Sequence, residues 1–191
     1  IDGRPVLFVY ENARKQLEPE QWAEGLVTLE RETPAGVLAF CDSGELVDVL
    51  IFDGLFHLNP APLYKNTLPA AVPAVFQDAH RSLMGRTRRF RRIPVLTVTP
   101  GYNDSRTLPG SGPITASQRG LEVDRQDGAL YRAQWTEALK QPAPWVLINS
   151  FNQWHAGTEI EPSVELGDQY LKLTREYALQ LKRGGAAPAP Q

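Results

Sequence analysis

The sequence predicts an α/β fold, a strand–helix (β/α) barrel, and three observations predict it. Five short runs are continuously apolar and rich in Val, Ile, Leu and Phe. Strands covered on both faces in a parallel sheet read this way, whereas a strand with one wet face would alternate. Amphipathic helical segments fall between several of these runs, and strand–helix–strand alternation with right-handed crossovers leaves an open doubly wound sheet or a barrel. The loops then favour the barrel. "FDGLFH", "TPGYNDSR" and "NSFNQWHAGTEIEP" place polar and aromatic groups after strands, as on the C-terminal face where barrel enzymes build their sites. No glycine-rich phosphate fingerprint follows a strand, and "PGSGP" (109–113) lies well past the fourth one, so a nucleotide site is not expected.

In chain order, the first predicted strand is "RPVLFVY" (4–10). A helix over 18–31 opens on acidic residues with Pro19 near its start, where the absent proline N–H is not missed and the helix dipole favours negative charge. Strands are predicted over 36–40 ("GVLAF") and 47–52 ("VDVLIF"). The segment 69–87 ends in cations, as a helix C-terminus prefers, and leads to a strand at 93–98 ("IPVLTV"). Over 128–141, Leu130, Ala133, Trp135, Ala138 and Leu139 fall close to one helical face. "PWVLIN" (144–149) is the fifth strand, and 165–183 repeats Leu and Tyr at three- and four-residue spacing, a last helix. Residues 1–183 thus read as one unit, and "GGAAPAPQ" (184–191) as a flexible tail.

Composition narrows the function classes. With 191 residues, 42% hydrophobic and 22% charged, the chain is an ordinary globular domain, and a net charge of -2 argues against diffuse attraction to nucleic acid. One cluster runs the other way, "RTRRFRR" (86–92); it is read as a solvated helix end ahead of a strand, with a basic patch for phosphate or a partner as the alternative. A single cysteine, Cys41, excludes an intrachain disulfide and a CxxC pair, and is read as a small buried apolar group. No run approaches the roughly 18 apolar residues of a membrane span. No signal-peptide pattern starts the chain, but Ile1 is not an initiator residue; an upstream segment is expected, and a secreted, periplasmic or cell-surface location stays open.

Three ordered segments resemble glycoside hydrolase family 99, the endo-α-mannosidase family. "SFNQWHAGTEIEP" (150–162) is similar to a family pattern S-F-N-E-W-H-E-G-T-x-I-E. "TPGYNDSR" (99–106), followed by "ASQRGLEVDRQDGALYRAQW" (116–135), resembles the family's G-P-G-Y-x-D-T-R loop and R-x-x-G-x-Y-Y-x-x-W segment; "FDGLF" (52–56) is similar to a strand-end F-D-G. The resemblance implies a (β/α)8 TIM-barrel fold, with the five strands here corresponding to the last five of eight. The remaining strands are then expected from upstream sequence or from another chain, since five would leave two open edges.

The resemblance also implies a mechanism in which one glutamate deprotonates the mannose 2-hydroxyl and a second, three residues on, serves as acid and base. At those positions stand Gln153 and Ala156. Glutamine keeps the shape of glutamate but accepts no proton at useful pH, and alanine removes the group. General acid–base catalysis supplies about 10² to 10⁴-fold per group, so losing both predicts almost no activity by that route. A natural non-catalytic relative or an engineered trap would both show this pair; departures such as Asn103-Asp104-Ser105 favour the natural one.

A sugar platform is nevertheless expected from Asp53, Tyr102, Asp104, Arg106, Asn152, Trp154 and His155, aromatic faces flanked by hydrogen-bonding groups. Glu159 and Glu161 are the possible substitute carboxylates, because alternate residues of an extended segment share a side. The function expected is therefore an impaired, glycan-binding relative. An active endo-glycosidase using displaced carboxylates and a structural subunit are the alternatives. No cofactor and no metal are expected: His57, His80 and His155 are scattered, and "DRQDG" (124–128) reads as a turn before a helix rather than a calcium loop.

Overall fold

The computed structural model describes residues 3–104 and 120–184. In chain order the elements are β1 (Val6–Val9), α1 (Glu11–Arg14), α2 (Pro19–Glu32), β2 (Leu38–Asp42), α3 (Asp48–Ile51) and β3 (Gly54–Phe56). There follow α4 (Val72–Phe90), β4 (Ile93–Val98), β5 (Tyr102–Asn103), β6 (Glu122–Val123), α5 (Ala129–Ala138), β7 (Trp145–Ile148) and α6 (Gln169–Arg183). Five strands form one parallel sheet in the order β1-β2-β3-β4-β7, while β5 and β6 pair antiparallel in the loop region beyond β4. None of the described helices is long and apolar enough to cross a membrane.

Local chemistry sets the boundaries. At α2 the Glu18 side chain accepts from the helix's third backbone N–H, and Gln21 answers by accepting from the Glu18 N–H at 2.9 Å, a reciprocal cap. The segment 47–52 is not the strand expected from its apolar run. It holds the short helix α3, and the third strand begins two residues later. The burial pattern gives the reason: Asp48, Val49 and Phe52 are buried while Leu50 is exposed, a three-and-four spacing that no strand could produce.

Side chains alternate across the sheet. Val9, Ala39, Cys41 and Leu55 face the helices and pack with Val49, Phe52 and Leu83. The Cys41 thiol is fully buried there and burial pushes its pKa up to about 12, so it remains a protonated apolar group. Leu96 and Val98 face Phe76, Leu130 and Trp135 in the largest cluster. On the inner side, Leu38, Phe40, Phe56, Ile93 and Val95 meet Val6, Trp145 and Leu147.

The inner side is filled by rings. Phe8 of β1 lies 5.2 Å from Phe40, 5.4 Å from Phe56 and 6.1 Å from Trp145 of β7, and Phe40 lies 4.8 Å from Trp145. Because β1 and β7 are the outermost strands, contact between their rings means that the sheet curls until its two ends face each other. Gly54 makes room for this: a Cβ there would sit 2.5 Å from the Phe40 ring and 2.5 Å from the Ile93 carbonyl oxygen. Gly54→Ala is expected to destabilise the fold by ~1–3 kcal/mol through overpacking, read from the midpoint of urea unfolding.

His80 is buried on α4, its Nδ1 3.0 Å from the Phe76 carbonyl oxygen, while its Nε2 accepts from the Thr97 N–H at 3.3 Å. Both contacts fit a neutral imidazole, and burial lowers its pKa from 6.5 to about 4. Unfolded, the ring takes up a proton near pH 6.5; folded, it does so only near 4. The stabilisation is therefore full above pH 6.5 and lost as the pH falls through that window. A shift of this size corresponds to ~3 kcal/mol. In His80→Gln the loss of stability between pH 6.5 and 4 is expected to shrink by that amount, measured by denaturant titration at a series of pH values.

Candidate functional site

The parallel strands bring five chain segments to one end of the sheet: Tyr10 after β1, Asp42 closing β2, residues 57–58 after β3, 99–104 after β4 and 149–161 after β7. The last of these is tied into a closed loop. The Ser150 N–H donates to the Thr158 carbonyl at 2.8 Å, the two hydroxyls meet at 2.7 Å, and the Ile160 and Glu161 N–H groups donate back to Phe151 at 3.0 and 2.9 Å. The peptide bond Asn149–Ser150 is cis. At the tip, Trp154–Ala156 form a single tight turn that ends on Gly157 in the left-handed region at φ 60°.

Arg125 holds this loop from the side. Its guanidinium donates to the Glu159 carbonyl at 2.9 Å, the Gly157 carbonyl at 3.0 Å and the Glu159 carboxylate at 2.6 Å, and it lies over the Tyr170 ring at 4.6 Å. Gly157 in turn abuts the neighbouring loop, where a Cβ would stand 2.9 Å from the Asn103 nitrogen. That loop is anchored by Gln134 of α5, whose side-chain amide accepts from the Thr99 N–H at 3.0 Å and donates to the Thr99 carbonyl at 2.8 Å.

Asn152, Gln153, Trp154 and His155 are exposed on the outer surface of the turn. The Gln153 amide nitrogen lies 3.4 Å from His155 Nε2, and the Trp154 indole N–H donates to the Glu161 carboxylate at 2.8 Å, which fixes a half-exposed ring. Ala156 points the other way and is buried in the main core. Tyr102 is buried, and burial with Asp104 beside it pushes its phenol up to about 12. Its hydroxyl lies 3.4 Å from the Asp104 carboxylate, whose other oxygen accepts from the Leu121 N–H at 2.9 Å. Asp104 therefore ties 102–104 to 121–123 rather than presenting a free carboxylate.

Among the residues expected to form the platform, Tyr102, Asn152, Trp154 and His155 come together with Gln153 on the adjoining loops of β4 and β7. Asp53 does not join them. It precedes β3, at the opposite end of the sheet, and its carboxylate accepts from the Ala39 N–H at 2.9 Å; the misplacement follows from the helix at 48–51. Arg106 lies outside the described residues. Of the two possible substitute carboxylates, Glu159 is turned to Arg125 and Glu161 is engaged by Trp154.

The sequence reading missed Asp42 and Tyr10. Asp42 continues the inward side set by Phe40 and closes β2 at the mouth. Its carboxyl accepts from the Leu58 N–H at 3.1 Å, and burial raises its pKa. The Tyr10 phenol is likewise raised, by burial first and then by Asp42. A signal was present: a predicted strand extended by two residues would have ended on a carboxylate. His57 alternates with the inward Phe56 and Leu58, and burial lowers its pKa against the opposing pull of Asp42.

Parallel strands curled around an aromatic interior, with helices outside them and ring and amide groups collected beyond their C-terminal ends, make this part of a (β/α) barrel. Residues 65–179 match the model of glycosyl hydrolase family 99, and the chain belongs to that family. It is 25% identical over 201 residues to a glycoprotein endo-alpha-1,2-mannosidase-like protein of Danio rerio, covering 91% of this chain and 41% of that relative. The GH99 endo-alpha-mannosidase of Bacteroides thetaiotaomicron, solved with Bis-Tris-propane, superposes with a TM-score of 0.72 at 25% identity, over 96% of this chain and 59% of its own. A second structure of that enzyme gives the same score and identity over 98% and 57%. The chain thus spans about two fifths to three fifths of these relatives, and its sheet is a five-strand part of a (β/α)8 barrel.

Removing Arg125 would leave Glu159 buried without its countercharge, a loss of ~3–5 kcal/mol by the usual behaviour of broken buried pairs. In Arg125→Ala the unfolding free energy is expected to fall by that order, and amide exchange over 150–161 to quicken, both measurable on purified protein.

Proposed function

We propose that this chain is a catalytically impaired member of family 99 that binds α-mannoside-like glycans at the C-terminal face of the barrel. The observation that carries the reading is the pair Gln153 and Ala156 at the positions where the family motif has its two glutamates. Gln153 offers a neutral amide at the surface, and Ala156 places a methyl group in the core. Neither moves a proton.

The other carboxylates nearby are otherwise occupied. Arg125 neutralises Glu159, and Glu161 fixes the indole of Trp154. Asp42 is one carboxyl at the mouth, and glycoside cleavage through acid and nucleophile or base needs two. What the chain keeps is suited to holding a sugar: a partly exposed indole for the apolar face of the ring, with the side chains of Asn152, Gln153 and His155 beside it for hydroxyl groups. The endo-mannosidase names of the relatives supply the ligand class. The unpaired edges of β1 and β7 are, in this reading, covered by further barrel strands from upstream sequence or another chain.

Incubation with a chromogenic α-mannoside is expected to give no turnover above buffer, and turnover would refute the impaired reading. On a glycan array, α-mannosides are expected to bind, and Trp154→Ala to weaken that binding by about tenfold or more, equivalent to ~1.4 kcal/mol. Absence of any bound glycan would favour a purely structural role.

A further inference from the structure

We propose that a cleft at the N-terminal end of the sheet, opposite the sugar loops, binds a phosphoester: a dianionic phosphate head joined to an apolar body. The cleft encloses about 610 Å³, within the range of small-molecule sites. Its walls are the last turns of α4, the first residues of β4 and the loop ahead of β7. Arg88, Arg91 and Arg92 line it, and among the described residues no aspartate or glutamate does. Met84, Ile93, Pro94, Pro142 and Pro144 form apolar wall beside them.

The helix end does not account for these charges. A helix C-terminus carries roughly half a negative charge, which one cation answers; three arginines leave a strong excess. Arg92 is set in place, donating from Nε to the Val49 carbonyl at 3.0 Å and from Nη2 to the Leu50 carbonyl at 3.1 Å. Arg88 and Arg91 have no carboxylate partner among the described residues. Arg91 caps α4 in the left-handed region, φ 53° and ψ 43°, a position that glycine ordinarily takes. A non-glycine residue is strained there by about 1 kcal/mol or more. Guanidinium groups meet phosphate through paired N–H donors, and the prolines and methionine suit an apolar remainder.

The phosphoester has two sources, a soluble compound or a phospholipid headgroup, and one probe serves for each. Calorimetric titration of the 191-residue chain with phenyl phosphate is expected to show binding that weakens with added salt, while phenol does not bind. Arg91→Gly relieves the backbone, so its unfolding midpoint should equal or exceed the parent's, and yet binding should fall by about tenfold. Arg88→Gln should bind comparably weakly, and both variants should retain α-mannoside binding. No binding of phenyl phosphate at millimolar concentration, equal binding by phenol, or unchanged binding in both variants would overturn the site. Co-sedimentation with phosphatidate-containing phosphatidylcholine vesicles, lost in Arg91→Gly, assigns the lipid source; phenyl phosphate binding without co-sedimentation assigns the soluble one.

Discussion

Everything at the C-terminal end of the strands depends on one packing constraint, the stack of rings inside the curled sheet. Five parallel strands left flat would spread their C-terminal loops along a line. Here Phe8 and Trp145 come from the two outermost strands and close on Phe40, so the ends of the sheet are drawn toward each other by dispersion and apolar burial rather than by a hydrogen-bonded seam. Gly54 is the permissive element, because any side chain there would occupy the space of the Phe40 ring. With that curvature set, Tyr10, Asp42, Tyr102 and the 150–161 loop are gathered at one end of the sheet.

Two side chains hold the loops above the rings. Gln134 fixes the loop after β4, and Arg125 fixes the loop after β7 through two carbonyls and one carboxylate. Holding a turn in place and moving a proton are separable tasks. The first uses backbone acceptors and a permanently charged guanidinium, and both are present here; the second needs a titratable group, and positions 153 and 156 carry an amide and a methyl.

Much of the architecture was legible in the residues. The apolar run 93–98 is β4 residue for residue, and the helices over 18–31, 128–141 and 165–183 appear with ends shifted by a few positions. The failure lies at 47–52, where an apolar run of strand-like composition forms a single helical turn; β3, with three residues including a glycine, is too short to announce itself. That slip also carried Asp53 to the wrong end of the sheet. A local motif marks Trp154 and His155 as candidates, whereas Asp42 and Tyr10 belong to no motif and are marked only by the ends of their strands. Their roles come from being the last inward or mouth-facing groups of their strands, and that depends on where each strand stops. The arginine cluster was visible as composition, but the cleft beside it arises from β4 and the 141–144 loop, which are distant in sequence.

Gly157 has a mechanical consequence. There is no room for a side chain between it and the backbone of Asn103, so the turn bearing Trp154 rests directly against the adjoining loop, and Arg125 holds the same turn by its carbonyl. Two segments some fifty positions apart along the polypeptide thus pack as a single lip. Any displacement of one loop therefore has to be shared by the other.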